Sequence, residues 1–221
     1  MSSATIVVQA LSISTALVAS GGIATLSLFD IPELKSQPAS RSLPIIRWLF
    51  SRGSHLFPQA ATISSLGFAY LAFAALRPGQ SATQLLRVTT NSSKINGYIA
   101  AAALCIGIGP FTSFVMIPTN FKLIRLNEKY GGARSEQSAK ARNEQSQPSD
   151  RSALDSVNGK DEAAEFTDIS GPQSQTNQNV SAKDEKEVQE LLSRFSALNL
   201  TRAGLIGAGG LMGLLVTLGG I

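Results

Sequence analysis

The sequence predicts an all-α fold: an integral membrane four-helix bundle with a long disordered cytosolic loop between helices 3 and 4. Three observations predict it. Four long runs carry most of the hydrophobic residues, which make up 43% of the 221-residue chain. These runs contain no Asp, Glu, Lys or Arg, and His55 stands at the edge of one of them. The segment from about Gly131 to Glu190 has almost nothing to bury, so the chain average hides two different materials.

The first run, Ala4 to Phe29, is roughly 26 residues long, past the ~20 needed to cross a bilayer. A secretory signal peptide is the competing reading, but it requires a basic start and a shorter apolar part. The opening "MSSATIVVQ" has neither Lys nor Arg, so a retained span is expected. The second run (about 56–76) lies between Arg52 and Arg77, and the third (about 95–117) between Lys94 and Lys122. The fourth (about 203–221) follows Arg202. In lipid only helices or closed barrels satisfy the backbone, and runs of this length fit helices.

The chain therefore divides into a membrane domain with spans 1 to 3 (residues 1–130), a low-complexity segment (131–187), and a last part (188–221). The middle segment is rich in Ser, Gln, Asn, Asp, Glu and Lys. It cannot offset its ordering entropy by burial and is expected to be disordered. From Val188 the helical period resumes, with Val188, Leu191, Leu192, Phe195 and Leu198 on one face of an interfacial helix leading into span 4.

Loop charge gives the orientation. Lys35, Arg41, Arg47 and Arg52 lie in the first loop, and Lys122, Arg125, Lys129, Arg134, Arg194 and Arg202 flank the third. The second has only Arg77, Arg87 and Lys94. The positive-inside rule then puts the first and third loops in the cytosol and both termini on the other side. A multi-pass membrane location follows, with the endoplasmic reticulum as the candidate organelle and the lipid bilayer as a partner. No glycan is expected at the sequons of Asn91, Asn179 and Asn199.

Composition excludes several chemistries. Cys105 is the single cysteine and His55 the single histidine, so neither a disulfide within the chain nor a multi-histidine metal site is possible. The net charge of +4 is scattered between apolar runs with no basic stripe, so no nucleic-acid partner is expected.

Polar and small residues inside the spans remain to be explained. Gly209 and Gly213, with Ala203 and Gly207 spaced likewise, permit close helix approach, which is read as packing within the bundle. The third span closes on "PFTSFVMIPTN" (110–120). Pro110 and Pro118 lack amide hydrogens, which deprives the carbonyls of Ile106 and Phe114 of their helical partners. Thr112, Ser113, Thr119 and Asn120 are the local groups that can respond, either by repairing the kink or by lining a polar pocket. Before the second span, Trp48 sits where aromatic belts usually lie, and Arg47 and Arg52 suit lipid headgroups. His55 is either a structural interfacial residue or a base, since imidazoles as a class titrate near neutrality.

At these residues the chain resembles the fungal anthrone oxygenase family, small four-span membrane proteins. The resemblance is carried by "GGIATLSLFDIP" (21–32), "RWLFSRGSHLFP" (47–58), "PFTSFVMIPTN" with "FKLIRLN" (110–127), and "LLSRFSALNLTR" (191–202). Pro110, Phe111, Thr112, Pro118, Thr119 and Asn120 match the family's central motif. Trp48, Gly53 and Pro58 match its first-loop pattern, and Asn199 with Arg202 the approach to its last span. Phe195 stands where the family is expected to place tryptophan, and the 131–187 segment is unusually long.

The resemblance implies a monooxygenase of secondary metabolism that converts an anthrone-type, apolar aromatic polyketide to an anthraquinone. Dioxygen is the co-substrate, and neither metal nor flavin is implied as cofactor. The chemistry suits the inventory: an anthrone methylene is acidic because its anion is phenolate-like, and such a carbanion can pass an electron to dioxygen directly. The protein would supply a base, donors to the enolate oxygen and an apolar cavity. His55, Asn120 and Thr112 are the catalytic candidates. Arg47, Trp48, Phe111, Thr119, Arg125, Asn199 and Arg202 are the substrate-binding ones. A non-enzymatic scaffold that recruits polyketide pathway enzymes through the disordered loop is the alternative.

Overall fold

The computed structural model describes residues 2–76, 81, 83, 92–144, 152–158 and 167–219. Arg77, Arg87, Asn91 and the last two residues of the fourth run lie outside the described residues. In chain order the elements are α1 (Ser3–Thr25), α2 (Ile31–Lys35), α3 (Ala39–Ala74), α4 (Ser93–Ile106), α5 (Ile108–Phe111), α6 (Ile117–Lys129), α7 (Glu136–Glu144), α8 (Ala153–Val157) and α9 (Ala182–Thr217). Four continuous stretches are long and apolar enough to cross a membrane: Ser3–Lys35, Ala39–Ala74, Ser93–Lys129 and Ala182–Thr217. The chain is an all-α, multi-pass membrane protein.

Two widened π turns, Leu26–Asp30 and Thr112–Met116, interrupt the first and third stretches. Both stand directly before an Ile-Pro pair, Ile31-Pro32 and Ile117-Pro118. Proline offers no amide hydrogen, so the hydrogen-bond ladder has to break ahead of it. A π turn takes up that break, and the proline then falls at the start of the next helix, where its missing N–H costs little.

Helix α3 begins well before the second apolar run. Arg47, Trp48, Arg52 and His55 are therefore helical, and the first connection shrinks to a few residues around Pro38. Helix α9 likewise starts at Ala182, six residues ahead of the apolar face. Its first turn carries Asp184 and Glu185, which suit the positive end of the helix dipole.

The chain forms two compact units. Unit 1 comprises Met1–Thr25, Leu56–Ser113 and Asn199–Ile221. Its interior mixes large side chains such as Ile23, Phe68 and Ile206 with small and polar ones such as Ser12, Ala16, Ala61, Ser64 and Ala101, while Val18 (76% exposed) and Leu66 (66%) point outward. Large apolar side chains on the outside and small ones within suit a bundle in lipid, where close helix packing rather than a hydrophobic reward holds the helices together. Gln9 Nε2 donates to the Tyr98 hydroxyl at 2.9 Å, which pairs with Thr217 Oγ1 at 3.1 Å, so these three polar groups satisfy one another.

The glycines of α9 pack inside unit 1. A Cβ at Gly213 would lie 2.2 Å from the Phe68 ring, and one at Gly209 2.6 Å from Cys105 Sγ and 3.0 Å from the Ala101 carbonyl oxygen. The backbone at Ala101 cannot step aside as a side-chain tip can. Gly209→Ala is expected to destabilise the protein by about 1–3 kcal/mol through overpacking. Gly204→Ala, which meets nothing within 4 Å, should be neutral or slightly stabilising by helix propensity. Thermal unfolding of the two variants in one detergent checks the contrast.

Unit 2 comprises Leu26–His55 and Phe114–Leu198. Ile31, Leu43, Ile46, Met116, Leu123, Val188 and Leu192 build its core, and the Phe50 and Phe195 rings meet edge to face at 5.0 Å. Val188, Leu191, Leu192 and Phe195 are buried and Leu198 half-buried, so the apolar face of α9 is used as its period predicts. Of the segment expected to be disordered, residues 145–151 and 159–166 lie outside the described residues. The described parts are held by polar contacts: Thr176 N–H donates to the Ser40 carbonyl and Gln178 N–H to that of Tyr130. A composition-based reading scores apolar burial and misses anchoring of this kind.

Candidate functional site

Within unit 1, Asn199 and Arg202 occupy successive turns of one face of α9. Asn199 is fully buried and Arg202 is 8% exposed. Arg202 Nη1 donates to Asn199 Oδ1 at 3.0 Å, and its Cζ lies 5.9 Å from the centre of the Phe57 ring. Phe57 also lines a cavity of about 440 Å³ with Ser14, Thr15, Ala19, Gly22 and Ala60. That volume lies in the usual range for small-molecule sites, and its walls are mostly apolar.

Phe111 and Thr112, also in unit 1, are half-buried. The Thr112 hydroxyl donates to the Ile108 carbonyl at 2.6 Å, so its proton is engaged in the backbone ahead of the π turn. Of the two roles left open for the polar groups of this span, Thr112 fills the repair role here.

Asn120 is different. In unit 2 its Oδ1 is buried with no hydrogen-bond partner among the described residues. Thr119 beside it is 2% exposed, while Arg125 is exposed. One further residue belongs with Asn120. Asn127, two helical turns on and on the same face, is fully buried, and neither end of its amide has a partner among the described residues. A Cβ at Gly132 would fall 2.0 Å from Asn127 Oδ1, so glycine there makes room for the amide. Orphaned buried amides of this kind are sites for ordered water or a ligand. The seven-residue spacing from Asn120 is the signal that would have found Asn127.

His55 is half-buried on α3, and its Nε2 is shut off from solvent. Arg47 and Trp48, expected at the substrate, give their polar groups to the segment after α7. Arg47 Nη2 donates to the Ser156 carbonyl at 2.7 Å and Nε to Ser156 Oγ at 3.1 Å. Trp48 Nε1 donates to the Ser170 carbonyl at 3.0 Å, and Arg52 stacks 5.3 Å from the Trp48 ring while donating to the Asp168 carbonyl.

Asp168 organises that region. Its carboxylate accepts from Ser135 Oγ and from the backbone and hydroxyl of Ser170. Burial by itself would raise the carboxyl's pKa, but these donors and the nearby charge of Arg134 outweigh it and hold the group below the ordinary aspartate range. A folded-state value below the unfolded one adds stability above the unfolded value of about 3.9, and that stability is lost as pH falls through the folded value. Asp168→Asn is therefore expected to lower Tm at pH 7. The gap to wild type should close as pH drops below about 3.9, which unfolding scans at several pH values would show.

The family model for anthrone oxygenase matches residues 47–212, well over half of the chain. The chain belongs to the anthrone oxygenase family. Every candidate site residue, from Arg47 to Arg202, falls inside the matched range. No curated protein and no solved structure matches the chain. Among anthrone oxygenase features, the Pro-rich turn of "PFTSFVMIPTN" is thus accounted for by backbone geometry at Thr112. Asn120 is the residue of that motif with a buried polar atom that lacks a partner among the described residues.

Proposed function

We propose that the protein oxidises an anthrone-type aromatic polyketide to an anthraquinone with dioxygen, in secondary-metabolite biosynthesis. The family match over residues 47–212 is the observation that carries this reading. The apolar cavity of unit 1 supports it, because a flat apolar polyketide and dioxygen both partition into lipid.

The reaction balances as anthrone plus dioxygen giving anthraquinone plus water. A base removes a proton from the methylene carbon, leaving a phenolate-like anion. The anion gives one electron to dioxygen, and the resulting radical and superoxide combine to form a C–O bond. The peroxide takes up a proton, the second C–H proton is removed, and the O–O bond breaks to leave the new carbonyl and water. His55 is assigned as the proton acceptor. Asn120 is assigned as the hydrogen-bond donor to an anthrone oxygen, while the Thr112 hydroxyl, the other candidate for that role, is given to the Ile108 carbonyl and holds the turn ahead of it. Rotation of the Asn120 amide turns Nδ2 to the position of the unpaired Oδ1, which gives it a donor. The oxidation requires no redox cofactor, since the substrate anion is itself the reductant of dioxygen.

Aerobic incubation of membranes carrying the protein with an anthrone tests the reading. Quinone absorbance should rise with oxygen uptake at equal molar rates, well above membranes lacking the protein. Equal rates with and without the protein would sink it.

A further inference from the structure

The bond from Arg202 to Asn199 uses the amide oxygen and leaves donors unanswered on both residues. Asn199 Nδ2 and Arg202 Nε are buried, and neither has a hydrogen-bond partner among the described residues. No carboxylate among the described residues lies within ion-pair distance of Arg202, whereas Glu128 and Asp184 each hold a cation elsewhere. A guanidinium removed from water without a counter-charge is strongly unfavourable, and so is each unpaired buried N–H. Three deficits therefore meet in one turn of α9: a positive charge, an unpaired Arg202 Nε and an unpaired Asn199 Nδ2. A single negatively charged oxygen answers all three.

The surroundings narrow what bears that oxygen. The guanidinium stands over the ring of Phe57, which also walls the apolar cavity. Charge on one side and a flat aromatic, apolar wall on the other suit a planar aromatic ligand ionised at a ring oxygen. They do not suit a heavily hydrated phosphate.

We propose that Asn199 and Arg202 form an oxyanion-binding pair that selects the ionised, phenolate-type form of an aromatic ligand and so raises the acidity of the ligand it holds. For the anthrone reaction, on whose reading this role rests, the pair favours the enolate over the ketone before dioxygen reacts. Asn199 then serves both partners, since its oxygen orients Arg202 while its Nδ2 donates to the ligand.

A hydroxyanthraquinone probes the pair without turnover, because its reactive carbon is already oxidised and its absorption moves to longer wavelength on ionisation. Full-length protein in phosphatidylcholine nanodiscs is titrated with pH in the presence of the probe. The bound probe should ionise at a pH about 1–2 units lower than the free one, the range expected beside an opposite charge. Arg202→Met should abolish the shift and Arg202→Lys restore part of it. Asn199→Asp gives Arg202 an internal counter-ion, which favours folding, and should also remove the shift. Absence of probe binding to wild type, ionisation at the solution pH, or an undiminished shift in Asn199→Asp would overturn the proposal. Anthrone oxidation without a probe shift rejects the pair and spares the oxygenase reading. A probe shift without oxidation does the reverse.

Discussion

His55→Ala is expected to slow protein-dependent anthrone oxidation by about 10²–10⁴-fold, the usual contribution of a positioned acid–base group. His55 is the only histidine of the chain. It sits half-buried on α3 with Nε2 shut off from solvent, so a proton taken there is not exchanged at once with bulk water. Thermal unfolding of the variant in the same nanodiscs separates this from a structural effect, since loss of a base leaves Tm near the wild-type value while loss of a packing residue lowers it. An unchanged rate in the variant would remove the base assignment.

Glu128→Ala is expected to destabilise unit 2 by about 3–5 kcal/mol, the penalty for stripping one partner from a buried ion pair. Glu128 is fully buried, and Arg142 meets its two oxygens at 2.8 and 3.0 Å while also donating to the Gly132 carbonyl at 3.0 Å. The paired forks fix α7 to the end of α6, and the variant leaves a guanidinium with its main acceptor gone. Trp48, the only tryptophan, lies in the same unit and donates to Ser170. Its fluorescence during denaturant unfolding therefore reports the loss, and a midpoint equal to wild type would show that the pair contributes nothing net. Deleting residues 135–185 removes Arg142, Ser156, Asp168 and Ser170 together. It thus tests the anchoring of unit 2 as well as recruitment of other proteins.

The helices were legible because lipid leaves one solution for a long uncharged run, and the glycine spacing of α9 already announced close packing. The π turns were half-legible. Pro118 marked where the ladder had to fail, but only the backbone shows that the break is spread over Thr112–Met116 and that Thr112 serves Ile108. Partners remote in sequence were not legible. Arg47 and Trp48 looked like substrate or headgroup residues because Ser156 and Ser170 lie more than a hundred positions away, in a segment whose composition suggested no structure. For Asn199 and Arg202 the spacing put both on one helix face, yet only burial reveals that their donors lack acceptors. Unmet polar groups are a property of packing, and packing is not written in local pattern.

The proposed reaction puts one oxygen atom from dioxygen into an anthrone. The most direct measurement is incubation of the membrane-embedded protein with an anthrone under ¹⁸O₂, following quinone formation by rate and mass against membranes lacking the protein. The predicted result is a protein-dependent rate with one ¹⁸O in each quinone and the other atom lost as water. Quinone that forms no faster than in control membranes, or that gains its new oxygen from solvent, would rule this reaction out for the protein.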